Sequence, residues 1–146
     1  MRLIIGCDHA GVDLKRLLLT SALADHDVID VGTHTTESVD YPDIASAAVG
    51  RLLDGEAELA ILICGTGLGM SMAAGRHPGI RAALCSNSLT AEMSRRHNNA
   101  NVLCMGARII GSDLAERIVR IWLDTPFDGG RHHRRVQKIE DITPTC

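Results

Sequence analysis

From Leu59 to Ile63 the chain runs without a polar residue, and the run stops on Cys64-Gly65-Thr66-Gly67-Leu68-Gly69. A short unbroken apolar run marks a strand buried on both faces, the kind found in parallel sheets with helices on each side. Met70-Ser71-Met72-Ala73-Ala74 follows with helix-forming composition, so the stretch reads as strand, tight glycine turn and helix start. Glycine lets backbone N–H groups come close to a bound group, and the start of the next helix favours negative charge there. An anion is expected on this loop. A thiol beside a helix N-terminus can have its pKa lowered, which makes thiolate available near neutral pH. A base or nucleophile next to oxyanion donors suits reactions in which negative charge develops on a substrate oxygen. The competing reading is a buried structural cysteine above an ordinary glycine-rich loop, and the motif alone does not separate the two.

The same alternation recurs along the chain. Arg2 to Cys7 reads as a buried strand, followed by Asp8-His9-Ala10-Gly11 and a helix from Val12 to Ala24 with Leu14, Leu17, Leu18 and Ala22 inward. Asp27 to Gly32 is a shorter strand whose polar alternation suits a sheet edge. Pro42 opens a helix with Ile44, Ala45, Ala48, Val49 and Leu52 on its apolar stripe. Ile80 to Cys85 and Asn101 to Gly106 supply two further strands. Ser86-Asn87-Ser88 caps a helix running to about His97, and a last one starts at Ser112 with Leu114, Ile118, Ile121 and Trp122 buried. Five such units in succession predict an α/β fold, a three-layer α/β/α sandwich around a five-stranded parallel sheet. Ligands of such sheets bind outside the strand carboxyl ends, which here carry Asp8, Cys64, Cys85 and Gly106. Asp8 is either the N-cap of the first helix or a group facing that crevice, with His9 beside it. Tyr41, the only tyrosine, lies on the loop before the helix that Pro42 opens and reads from composition alone as a staple packed on it.

Composition narrows the function. A chain of 146 residues is read as one domain, 1–146, and with 45% apolar residues but only three aromatics its core must be aliphatic. A net charge of -3 and so few stacking platforms argue against nucleic acid. No apolar run reaches the roughly 18 residues of a membrane span, and the first strand begins without a leader, so a soluble, unprocessed protein is expected. Five cysteines without a C-x-x-C pair (Cys7, Cys64, Cys85, Cys104, Cys146) suit a reduced cytoplasmic protein. Seven histidines show no H-x-x-x-H spacing, and no metal is expected; His132-His133 is the best candidate pair. After Gly129-Gly130 the spacing puts Arg131, Arg134, Arg135 and Lys138 on one helix side, with Val136 and Ile139 inward. That segment, about 129–140, is either a solvated face or a grip on a phosphate.

Several separated motifs stand in a fixed order: Gly6-Cys7-Asp8-His9-Ala10-Gly11, Asp40-Tyr41-Pro42, Ile63 to Gly69, Arg96-His97-Asn98, Asn101-Val102-Leu103, Gly106-Ala107-Arg108, and Gly129-Gly130-Arg131-His132 with Arg135. In these the chain resembles the type B ribose-5-phosphate isomerases, within the sugar-phosphate isomerases that include the galactose-6-phosphate isomerase subunits. The resemblance implies a flavodoxin-like or Rossmann-like sandwich that binds a phosphorylated sugar across a homodimer interface, with pairing of dimers into tetramers left open. It implies interconversion of ribose 5-phosphate and ribulose 5-phosphate, a pentose phosphate pathway step, without metal or organic cofactor. Cys64 would move the proton between C2 and C1, with Thr66 beside it among the catalytic residues and the backbone of Gly65, Gly67, Leu68 and Gly69 holding the enediolate oxygens. His97 would open the furanose ring, Asp8 would handle hydroxyl protons, and Tyr41 and Asn98 would hold substrate. His9, Arg108, Arg131 and Arg135 would bind the phosphate, some of them from the other subunit. Members lacking the cysteine use a carboxylate further along the loop; Met70 offers none here. The alternatives are an isomerase of a hexose 6-phosphate, or a non-catalytic phosphate module that would leave Cys64, His97 and Asp8 without a task.

Overall fold

The computed structural model describes residues 1–142; Cys146 lies outside them. Five strands, β1 (Arg2–Cys7), β2 (Asp27–Asp30), β3 (Leu59–Cys64), β4 (Ala82–Leu84) and β5 (Val102–Gly106), form one sheet in the order β2-β1-β3-β5-β4. Every pairing is parallel. Compared with the flavodoxin order 2-1-3-4-5, the last two strands have changed places. The helices are α1 (Val12–Thr20), α2 (Tyr41–Leu53), α3 (Leu68–Gly75), α4 (Ser88–Asn98), α5 (Ser112–Asp124) and α6 (Arg131–Glu140).

Side chains alternate across a strand, and here the two faces make two cores. Leu3, Ile5, Ile61, Ile63 and Leu103 pack beneath α1, α4 and α5, whereas Ile4, Ala60, Leu62, Val102 and Cys104 pack beneath α2 and α3. β3 is buried at all six positions, as its unbroken apolar run requires. β2 takes the edge its polar alternation suits. Among the described residues no helix is long and apolar enough to cross a membrane.

Several boundaries differ from the sequence reading. α1 stops at Thr20 rather than Ala24, because the Leu23 N–H turns back to the Leu18 carbonyl at 2.9 Å. β4 shrinks to Ala82–Leu84, since the Arg81 N–H is taken by the Asn101 Oδ1 at 2.8 Å. α5 buries Ala115, Ile118, Val119 and Trp122, leaving Leu114 exposed and Ile121 half-buried. Trp122 sets that rotation: its Nε1–H donates to the Ser94 Oγ at 3.2 Å and the Arg95 guanidinium lies 5.3 Å from its ring centre. In α6 the inward residue is His132, with Val136 half-buried and Ile139 exposed.

Candidate active site

All strands point the same way, so their carboxyl ends finish on one edge, with Cys64 level with Gly106 and Cys7 level with Ile63. The Cys64 sulfur accepts the Gly67 N–H at 3.1 Å, which ties the thiol to the glycine loop. Gly67 has φ +79°, and a Cβ there would lie 2.8 Å from the Met105 carbonyl carbon and 3.1 Å from the Gly106 nitrogen. Only glycine allows the loops after β3 and β5 to touch at this point. Cys64 keeps 4% of its surface open, against 0% for Cys7 and Cys104. Burial pushes the Cys7 thiol up to about 11 and raises those of Cys85 and Cys104 too. Those three are therefore protonated packing groups.

The other predicted residues of this edge gather around the loop. The Thr66 hydroxyl accepts the Leu68 N–H at 3.3 Å. A Cβ on Gly65 would stand 3.1 Å from Arg108 Nη1, so the guanidinium lies along the loop. A Cβ on Gly69 would stand 2.5 Å from the Tyr41 ring, so Tyr41 covers the start of α3. Helix starts leave backbone N–H groups without intrahelical partners, and the first turn of α3 does so beside Cys64. Asp8 caps the turn after β1 through the Ala10 N–H at 2.9 Å. His9 Nδ1 accepts the Val39 N–H at 3.2 Å, so a neutral ring carries its proton on Nε2. On the β4 side of the loop Thr66, Leu68, Leu84 and Ile109 line a pocket of about 230 Å³.

The remaining predicted residues stand elsewhere. α4 starts beside the carboxyl end of β4 and runs back along the sheet, so at 1.5 Å per residue its end lies about 15 Å away, at the opposite edge. There Asn99 closes the helix in the left-handed region and the Asn101 N–H bonds the Arg81 carbonyl before β5 begins. His97 and Asn98 therefore sit at the amino edge. α6 joins them: its His132 ring stacks on His97 with centroids 4.2 Å apart, and its Glu140 pairs with Arg81. Arg131 and Arg135, both exposed on α6, belong to this edge. Asn98 and Ile139 line a pocket of about 420 Å³ there. One chain thus carries the predicted residues in two separate groups.

Sequence reasoning missed two residues, Asp128 and Lys15, and gave His132 a task only as half of a candidate metal-binding pair. His132 and Asp128 bring their ligand-type atoms within 4.8 Å of His97 and of one another, whereas His133 is exposed and does not join His132. Both Asp128 oxygens are held by Arg96 Nε, at 3.2 and 3.1 Å, so the cluster reads as a frame for the His97 ring. The His132 pKa lies below the ordinary imidazole value through desolvation, then through the neighbouring His97, Arg131 and Arg135. The second missed residue is Lys15, 1% exposed, with its ammonium 2.8 Å from Asp30 and 2.8 Å from the Thr33 carbonyl. Its only sequence signal is a cation set between the apolar Leu14 and Leu18.

A doubly wound parallel sheet, with a thiol at the head of a glycine loop and a cationic, histidine-bearing helix at its far edge, defines a small protein of the α/β class. Within that class, the chain belongs to the ribose/galactose isomerase family, whose model matches residues 3–139. It is 44% identical over 142 residues to ribose-5-phosphate isomerase B of Escherichia coli (strain K12), covering 97% of this chain and 95% of that one. A D-erythrulose-4-phosphate isomerase of Pectobacterium atrosepticum is 40% identical over 142 residues, covering 95% and 93% of the two chains. The solved ribose-5-phosphate isomerase B of Clostridium thermocellum superimposes with a TM-score of 0.94 at 51% identity, covering 97% of each chain.

Proposed function

We propose that this protein interconverts ribose 5-phosphate and ribulose 5-phosphate, in active sites that each combine the carboxyl edge of one copy with the amino edge of another. The observation that carries this reading is the separation of Cys64, Asp8, His9, Tyr41 and Arg108 from His97, Asn98, Arg131 and Arg135 by the length of α4. A second copy placing its α6 edge against the Cys64 loop brings the two groups together. The exposed apolar side chains of Leu68, Leu84 and Ile109 beside that loop are the surface such a copy would cover.

In this reading a proton leaves the O1 hydroxyl and the ring oxygen receives one, with His97 and Asp8 as the carriers, and the furanose opens. Cys64 then removes the C2 proton. The electron pair moves into a C1–C2 double bond and the carbonyl oxygen becomes an enediolate oxygen, held by loop and α3 N–H groups. Asp8 passes the O2 proton to O1, the C2–O bond becomes the new carbonyl, and the same sulfur returns its proton to C1. A loop donor of this kind is worth about 10²–10³ in turnover. The phosphate takes no part, so His9, Arg108, Arg131 and Arg135 supply binding energy that sets C1 and C2 over the sulfur. We assign the whole chain to one domain, with α6 contributing to phosphate binding. The four described cysteines are unpaired, which suits the reducing cytoplasm.

The test is a coupled isomerisation assay on ribose 5-phosphate, allose 6-phosphate and D-erythrulose 4-phosphate, the last because a close relative is named for it. Ribose 5-phosphate should show the highest kcat/KM; preference for a hexose or tetrose phosphate would reassign the substrate. Cys64→Ala should abolish turnover while sugar-phosphate binding persists. An active alanine variant would remove Cys64 from the base role.

A further inference from the structure

We propose that Lys15 is a positioning residue for the isomerisation: its buried ammonium clips the loop 31–40, and through that loop it places His9 and Tyr41. The inference rests on the functional reading above for what those two side chains touch.

The loop joins β2 to α2 and, from Thr33 to Asp40, has neither helix nor strand of its own. It begins where β2 leaves the sheet. There the Val31 N–H still bonds the Ile5 carbonyl at 2.9 Å and the Thr33 N–H bonds the Cys7 carbonyl at 3.0 Å. Gly32 makes the approach possible, since a Cβ at that position would fall 2.4 Å from the Cys7 nitrogen. Lys15 reaches this point from the first turns of α1. Its Nζ donates to Asp30 Oδ1 at 2.9 Å and to the Thr33 carbonyl at 2.8 Å, while Asp30 Oδ1 also accepts the Gly32 N–H at 2.9 Å. One ammonium thus joins α1, the end of β2 and the start of the loop.

The far end of the loop carries the consequence. Val39 donates to His9 Nδ1, and the Tyr41 ring lies on Gly69. Between the two ends, among the described residues, the other side-chain tie to α1 is Arg16 Nη2 to the His34 carbonyl at 2.8 Å, on the exposed surface. A segment with so few bonds of its own takes its position from its anchors. A buried lysine is also costly to keep charged without partners, so this one is satisfied by groups that all belong to the loop or its root. The clip therefore acts on substrate contacts without touching substrate.

Lys15→Met keeps most of the length of the side chain and removes the donor, but takes from the Asp30 carboxylate its lysine partner and leaves its Oδ1 with the Gly32 N–H. Lys15→Met/Asp30→Leu removes both charges and restores an apolar contact. We expect both variants to raise KM for ribose 5-phosphate roughly tenfold while kcat stays within about twofold, because contacts to the far end of the substrate loosen. Deuterium exchange of residues 33–41 should quicken in both, with β1 and β3 unchanged. If the single variant does not fold, the double variant carries the test. A folded double variant with wild-type KM and wild-type exchange would show that Lys15 only stabilises the protein, and would overturn the proposal. Should the wild type fail to turn over ribose 5-phosphate, the functional reading falls by itself, and the exchange result alone decides whether the clip exists.

Discussion

The imidazoles of His97 and His132 lie face to face, their planes 9° apart, although one ends α4 and the other begins α6. The stack joins the last helix to the amino edge of the sheet and leaves His132 with its pKa below the ordinary 6.5, through desolvation first and nearby cations second. Well above pH 6.5 the ring is neutral in both folded and unfolded chains, and its contribution to stability is complete. As pH falls below that value the unfolded chain takes the proton first, so this contribution is lost. His132→Phe keeps a flat ring on His97 without a titrating nitrogen. Urea unfolding at about pH 7.5 and about pH 5 should show a smaller loss for this variant than for the wild type. Equal losses would mean that the stack carries no such penalty.

Gly69 owes its identity to a neighbour rather than to its backbone angles. A Cβ there meets the Tyr41 ring at 2.5, 2.6 and 3.0 Å, and its φ lies outside the left-handed region. Gly69→Ala should therefore displace Tyr41 and raise KM, while Gly69→Ala/Tyr41→Ala should be no worse than Tyr41→Ala alone. The coupling in that double-mutant cycle should be about 1 kcal/mol, as for residues in direct contact. Additive effects would mean that the tyrosine does not hold substrate from this position.

β1, β3 and β5 were legible because each is an apolar run that nothing but a doubly covered sheet can bury, as β3 shows at every position, and β2 was legible as an edge from its polar alternation. The exchange of β4 and β5 was not, since neither strand's sequence encodes which neighbour it takes. Helix faces failed where one anchor outweighs the stripe: Trp122 turns α5 so that Ala115 and Val119 face in and Leu114 faces out. On α6 the inward place goes to His132 because a ring on α4 is there to receive it, and apolar Ile139 is left exposed. The candidate residues were named one by one from the motifs, and the resemblance implied that some come from another subunit. Which edge each one occupies was not legible, because that follows from the direction in which α4 runs.

That division gives the most demanding prediction. If each active site takes Cys64 from one copy and His97 from another, Cys64→Ala and His97→Ala proteins should each be inactive alone. A mixed dimer of the two has one site with both lesions and one site with neither. With random pairing half of the dimers are mixed, so refolding the two variants together should restore about a quarter of wild-type activity. Sites built within one chain would carry a lesion in every protomer, and mixing would restore nothing. The recovered activity, measured on ribose 5-phosphate after separate and joint refolding, distinguishes the two arrangements. It should depend on Arg131 in a definite way: adding Arg131→Ala to the Cys64→Ala chain, which supplies the intact His97, should raise the KM of the recovered activity. Placed on the His97→Ala chain, the same substitution falls in the dead site and should leave that KM unchanged.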